Sequence, residues 1–220
     1  YTNAAKLQNK GFEMDLTYDI LRKGDLLWSL RGNFTRNRSK VLDLAGTQAL
    51  YLVGGIEDFL DARAVVGQPV GVFYSSRFSR NEDGSRVFDK NGFPVADPVT
   101  GVIGDPNPDW IGGFGTSLSY KNLSLDVLFE TSQGGDFYSG TQSVMYNFGT
   151  HADTGNEVTL SQDLKNYAGK TIPAGSTVRG NIKDFGGGPV LLDESWYTTL
   201  GSGFGSLKEQ FVEDGSWTRP

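Results

Sequence analysis

The stretch from Gly11 to Phe34, GFEMDLTYDILRKGDLLWSLRGNF, alternates apolar with polar residues on both sides of Arg22-Lys23-Gly24-Asp25. Phe12, Met14, Leu16, Tyr18 and Ile20 share one parity, and Glu13, Asp15, Thr17 and Asp19 the other. Beyond the turn, Leu26, Trp28, Leu30, Gly32 and Phe34 continue one row, with Leu27, Ser29, Arg31, Asn33 and Thr35 opposite. A period of two marks a strand, because successive side chains leave the pleated backbone on opposite sides. The segment therefore predicts a tight antiparallel hairpin with one apolar and one polar face. A soluble sheet would rest the apolar row on a core, whereas a transmembrane barrel would turn it to lipid.

Composition narrows the classes. Glycine, at 30 of 220 residues, is roughly twice its usual share, and aromatics reach 12%, a profile that suits many strands joined by turns and long loops. The net charge of −6, with Lys and Arg scattered, argues against a nucleic-acid partner, which needs clustered cations. Absence of cysteine excludes disulfides, zinc–thiolate sites and thiol catalysis together. No run approaches the ~20 apolar residues of a membrane helix, but a barrel strand needs only ~9 to 11 residues of alternating polarity. The opening YTNAAKLQNK lacks the apolar stretch of a signal peptide, and Trp217-Thr218-Arg219-Pro220 ends in mid-phrase. The expectation is a piece of a longer protein.

The opening hairpin has a near-copy. Gly11 to Tyr18 matches Gly113 to Tyr120 as G-F-x-x-x-L-[TS]-Y, and Lys121-Asn122 then turns into Leu123, Leu125, Val127 and Phe129 on one face, against Ser124, Asp126 and Glu130 on the other. Hairpins are thus expected near 11–36 and 112–132. Between and after them, 37–110 and 133–210 are long, rich in Gly, Asp, Asn and Pro, and only patchily periodic. Val70 to Tyr74 and Arg86 to Phe88 read as further short strands. Since strands between two same-side turns come in pairs, 37–110 holds either one long loop or a loop plus one more down-and-up pair. Long loops on one side and short turns on the other are the habit of outer-membrane barrels, whereas sandwiches space their turns evenly. Tyr18, Trp28 and Tyr120 beside the short turns also suit an interfacial girdle.

Constellations for chemistry are sparse. His151 is the only histidine and reads as a loop surface residue, without the partners of a triad or metal site. No nucleophile elbow, P-loop or dinucleotide fingerprint occurs, and Gly201-Ser202-Gly203-Phe204-Gly205 reads as flexible loop. Asn81-Glu82-Asp83-Gly84 and Asp89-Lys90-Asn91-Gly92 resemble calcium loops but lack the twelfth-position Glu, and no two carboxylates stand out as a glycosidase pair. No cofactor, metal or enzymatic activity is expected. Trp110, Phe137, Tyr138, Tyr146, Trp196 and Tyr197 lie beside Gly, Asn, Asp and Ser in the loops, a setting that serves either ligand or partner contact or loop packing.

An ordered series of phrases carries a family resemblance: Asn9-Lys10-Gly11-Phe12-Glu13; Trp28 through Asn37 with Ser39-Lys40-Val41; Gly67-Gln68-Pro69-Val70-Gly71-Val72-Phe73-Tyr74, then Asp83-Gly84; Gly104-Asp105-Pro106-Asn107-Pro108-Asp109-Trp110-Ile111-Gly112-Gly113-Phe114; Tyr120-Lys121-Asn122-Leu123; and Phe211-Val212-Glu213-Asp214-Gly215-Ser216-Trp217-Thr218-Arg219. Together they resemble the C-terminal half of the SusC/RagA family of TonB-dependent outer-membrane transporters of Bacteroidetes; residues 140 to 205 match only as loop. The resemblance implies an all-β fold, residues 1–220 forming part of a 22-stranded antiparallel transmembrane barrel without its plug domain and final strands. It implies TonB-energised import of a glycan or peptide, with a SusD-like surface lipoprotein over the mouth and the TonB complex pulling on the plug. On that reading Glu13, Asp15, Arg31, Asn33, Asp126 and Glu130 face the lumen, while Phe12, Leu16, Tyr18, Trp28, Leu118, Tyr120 and Leu125 face lipid or its girdle. The rivals are a soluble β-sandwich carbohydrate-binding module and a passive porin.

Overall fold

The computed structural model describes residues 5–54, 60–202 and 207–220. Gly203, Phe204 and Gly205 of the glycine series, and the start of YTNAAKLQNK, lie outside them. Two long strands open the chain, β1 (Lys6–Lys23) and β2 (Leu26–Asp43). A first excursion carries β3 (Ala49–Gly54), β4 (Asp61–Val65), β5 (Val70–Ser75) and β6 (Gly101–Gly104) as a four-stranded antiparallel sheet. Strands β7 (Trp110–Tyr120) and β8 (Leu123–Gln133) follow. A second excursion holds β9 (Asp136–Tyr138), helices α1 (Gly140–Asn147) and α2 (Ala152–Gly155), then β10 (Glu157–Thr159), β11 (Leu164–Lys165), β12 (Thr171–Ile172), β13 (Thr177–Arg179), β14 (Asn181–Asp184) and β15 (Pro189–Leu192). Helix α3 (Glu194–Tyr197), a 3₁₀ turn at Lys208–Phe211, β16 (Val212–Asp214) and β17 (Trp217–Arg219) complete it.

The principal sheet runs in the order β1-β2-β7-β8-β17, each pair antiparallel. Strand β2 pairs directly with β7, and β8 with β17. Each excursion therefore leaves this sheet and returns beside its point of departure. Of the two arrangements open for 37–110, the structure takes the single excursion, and the strand at Val70 to Ser75 belongs to that excursion's own sheet. Both short turns lie side by side at the opposite end, where the Lys121 N–H donates to Asp25 O at 3.2 Å. Gly24 sits at φ 56°, in the left-handed region that a two-residue turn needs and that glycine enters without Cβ strain.

The cores lie in the excursions, away from the principal sheet's faces. Val41, Leu44 and Ala64 close one at the end of β2. Phe93, Val190, Leu192, Trp196 and Tyr197 form a second, and Leu160, Leu164 and Leu191 a third. Trp196, 3% exposed, is the hub of the second, in ring contact with Phe93, Tyr167 and Phe185. Trp196→Ala should cost about 3 to 5 kcal/mol of local stability, read as lost amide-exchange protection across β14, β15 and α3 with protection in β7 and β8 retained.

Candidate functional site

The register turns alternation along each strand into two continuous surfaces. Opposite pairs Leu16↔Gly32, Tyr18↔Leu30, Trp28↔Leu118 and Leu118↔Leu125 place Phe12, Leu16, Tyr18, Trp28, Leu118, Tyr120 and Leu125 on one face. Pairs Glu13↔Thr35, Asp15↔Asn33, Arg31↔Gly115, Gly113↔Glu130 and Ser117↔Asp126 place Glu13, Asp15, Arg31, Asn33, Asp126 and Glu130 on the other. On the polar face, Gly115 leaves room for Arg31, whose Nε lies 2.6 Å from where a Cβ would stand. The Ser117 hydroxyl donates to the Asp126 carboxylate, and Arg219 holds Glu130 at 2.9 Å while its guanidinium covers the Trp217 ring at 4.5 Å. Trp217 and Arg219 were not among the residues expected on this wall. Only the β8–β17 register, across more than eighty positions of sequence, brings them there.

The apolar face has no second layer among the described residues: Leu16 stays 62% exposed, Tyr18 65% and Phe12 58%. The Trp28 ring is satisfied within the sheet, its Nε1–H donating to Thr116 Oγ1 at 2.9 Å. At the end remote from the short turns, Phe12, Phe34 and Trp110 form an aromatic row, with ring centroids 6.3 and 5.7 Å apart. This corrects the placing of Trp110 among the loop contacts: it is the first residue of β7, stacked on Phe34.

Most of the family-like phrases converge on one knot where the excursions join the sheet. The Val41 N–H donates to Gln68 O and the Val70 N–H to Ser39 Oγ. Asn107 Nδ2 donates to Val70 O and to Asp105 Oδ1. Asp105 and Asp136 are joined twice, backbone N–H to carboxylate and backbone N–H to carbonyl, each at 2.7 Å. The Gly215 N–H donates to Gly135 O. Gly135 sits at φ 78° with Pro106 O only 3.0 Å from a would-be Cβ, so both its conformation and its neighbour demand glycine. These phrases hold a collar together and carry no reacting group.

Above the collar the loop aromatics divide. Trp196 and Tyr197 are buried and pack the excursion's core, the second of the two settings open to them. Tyr138 is half-buried, its hydroxyl donating to Ser143 Oγ, whereas Phe137 remains 46% exposed. Tyr146 stacks on Tyr197 at 5.3 Å and on His151 at 4.4 Å, and its hydroxyl donates to the Asp153 carboxylate. His151, expected as a free surface residue, is instead half-buried and caps α2, Nδ1 accepting the Asp153 N–H at 3.2 Å. The calcium-like segments spend their carboxylates on their own turns: Asp83 accepts from Ser85, which draws its pKa below the ordinary value, and Asp89 accepts from Asn91 and Phe93. Among the described residues no group of three or more potential metal ligands comes together. Two clefts flank the Tyr146–Tyr197 pair, one of about 540 Å³ and one of about 470 Å³.

An antiparallel sheet with one apolar and one polar face, and with its large folded excursions at one end, is the arrangement that the wall of an outer-membrane barrel requires. The chain is similar to "TonB-dependent receptor P26" of Formosa agariphila, 31% identical over 158 residues, and to "TonB-dependent receptor P3" of the same organism, 27% over 162. Those matches cover 62% and 63% of this chain and 16% of each relative, so the chain spans well under a quarter of their length. In fold it is similar over its whole length to the RagAB peptide transporter, with a TM-score of 0.55 at 17% identity and 22% of that chain covered. The RagAB peptide importer in its closed-closed state gives a TM-score of 0.56. No family model matches. The likenesses agree with the resemblance read from the phrases: in sequence the chain is similar to TonB-dependent receptors, and in fold, which is all-β, to the RagAB transporter.

Burial, followed by the Asp153 carboxylate, pushes the Tyr146 phenol above its ordinary 10.0, and burial does the same to Tyr197. A phenol whose folded pKa is raised stabilises the fold fully below the unfolded pKa, and that contribution is lost as pH rises through the folded value. Tyr146→Phe should therefore cost about 1 to 2 kcal/mol of loop stability near neutral pH, by removing the hydroxyl that donates to the Asp153 carboxylate. It should also flatten the alkaline loss of proteolytic resistance in the second excursion above about pH 10.

Proposed function

We propose that residues 6–43 and 110–133 form adjoining staves of the wall of a TonB-energised importer, and that the excursions form part of its extracellular mouth. The observation that carries this reading is the pair of unbroken surfaces. A soluble sandwich would cover the row of Phe12, Leu16, Tyr18 and Leu125 with a second sheet, whereas the row stands open. In a bilayer such a row costs nothing, while backbone groups there must be paired, as the β1-β2-β7-β8 ladders pair them. Trp110 and Tyr120 lie ten positions apart on β7, about 33 Å along a strand and about 25 Å along the normal at the ~40° tilt of such barrels, which matches the height of an apolar band between two aromatic girdles.

On this reading Glu13, Asp15, Arg31, Asn33, Asp126 and Glu130 face the lumen, where mixed charges and hydroxyls contact plug or solute. The lumen row is joined by Trp217 and Arg219. The substrate is a glycan or peptide nutrient, energy comes through the TonB complex, and a SusD-like lipoprotein closes the mouth. The likeness to TonB-dependent receptors supports energised import over a passive porin and over an enzyme.

Leu16→Arg in the full-length protein should cost roughly 2 to 4 kcal/mol in bilayer refolding, whereas Asp15→Arg, on the lumen side, should cost much less. Equal costs would remove the assignment of faces. TonB-independent uptake of the nutrient by cells carrying the intact protein would remove the importer.

A further inference from the structure

Charge changes faces along β1 and β2. On the short-turn side of the aromatic row of Phe12, Phe34 and Trp110, the face bearing Phe12, Leu16, Tyr18 and Trp28 is apolar, and Glu13, Asp15 and Arg31 lie on the other face. Beyond that row, toward the excursions, the arrangement inverts. The register pairs Phe12 with Arg36, Lys10 with Arg38 and Gln8 with Lys40, so four cations stand on the continuation of the apolar face. The polar face at the same height offers Asn9, Gly11, Asn37 and Ser39, none of them charged.

These cations are hardly spent on the protein. The side chains of Lys10, Arg36 and Lys40 are exposed and make no hydrogen bond or ion pair among the described residues. Arg38 is anchored, donating to Pro108 O at 3.4 Å and pairing with Asp109 just before β7. Lys10 and Arg38 stand directly opposite each other, where like charges repel. A lone Lys or Arg at the end of a membrane strand snorkels to any headgroup and needs no particular partner. Here the four share a patch about 14 Å long on two strands about 5 Å apart, in a chain whose net charge is −6. Such a patch is complementary to a molecule carrying more than one negative group. A second copy of the chain would set cation against cation.

We propose that this patch binds the phosphates of a phosphorylated glycolipid in the outer leaflet, whose acyl chains lie down the apolar face past Phe12 and Phe34. Aromatic rows mark the level at which an apolar band gives way to headgroups. Lys10 follows Phe12 by two residues, and Arg36 and Arg38 follow Phe34 by two and four on the same face, so the cations stand at headgroup height. Arginine forks match phosphate oxygens two at a time, and the lysines add mobile charge beside them. The inference rests on the assignment of faces made above.

The test is native mass spectrometry of the intact transporter, purified in detergent and stripped of lipid, with bisphosphorylated lipid A, its dephosphorylated form and inorganic phosphate as probes. Lipid A should bind at least about ten-fold more tightly than the dephosphorylated lipid, and millimolar inorganic phosphate should not displace it. Lys10→Gln, Arg36→Gln and Lys40→Gln should each lose about five-fold for lipid A and nothing for the dephosphorylated lipid, the usual worth of one cation at an anionic surface. Equal binding of the two lipids overturns the proposal. Displacement by inorganic phosphate assigns the patch to a soluble anion and overturns it as well. Both outcomes are read on the wild type, so misfolding of a variant does not shelter the idea. If it fails while Leu16→Arg still costs more than Asp15→Arg, the faces stand and only the lipid site is lost.

Discussion

Side chains leave a strand alternately to its two sides, and antiparallel pairing in a fixed register is what makes that alternation a property of a surface. A one-residue slip between β2 and β7 would send Trp28, Leu30 and Phe34 across from Ser119, Ser117 and Gly113 in place of Leu118, Thr116 and Gly112. Both faces would then be mixed, and neither lipid nor water would suit them. The register is held at one end by two short turns bonded to each other and at the other by the collar of Asn107, Asp105 and Asp136. Everything else about the molecule follows from that alignment: which residues can face a bilayer, which can face a solute, and where the excursions must emerge.

The two-faced sheet was legible in the sequence because its signal is local. Period-two alternation around Arg22-Lys23-Gly24-Asp25 and around Lys121-Asn122 needs no knowledge of distant residues, and every residue assigned to one face or the other shares that face in the register. The loops were not legible in the same way. Trp196 stands beside Glu194 and Ser195 in a sequence as polar as any binding loop, and its burial depends on Phe93, which arrives from the other excursion. Likewise His151 looks solitary until α1 brings Tyr146 against its ring. Flat rings flanked by small polar residues furnish binding sites and loop cores equally, and only long-range packing separates the two.

The phrases that carried the family resemblance have a physical explanation that differs from a catalytic motif's. Gly104 to Trp110, Gly67 to Tyr74 and Phe211 to Arg219 supply Asx turns, left-handed glycines and backbone pairs to a single junction. Such a junction tolerates little substitution, since its parts are backbone groups in close approach, and it places no reactive side chain. Recognition of the fold from these phrases thus says nothing about what passes through it.

The two excursions are also bound to each other. Closing a long loop costs only logarithmically more than closing a short one, so a barrel can carry large insertions if each supplies its own core. Here the core is shared. Phe93 packs with Val190, Leu192, Trp196 and Tyr197, while Glu209 accepts the Phe78 N–H at 2.7 Å and pairs with Arg80. Neither excursion can swing outward alone without exposing those apolar faces and stranding the Glu209 carboxylate. The contacts that join them are therefore part of each excursion's own stability.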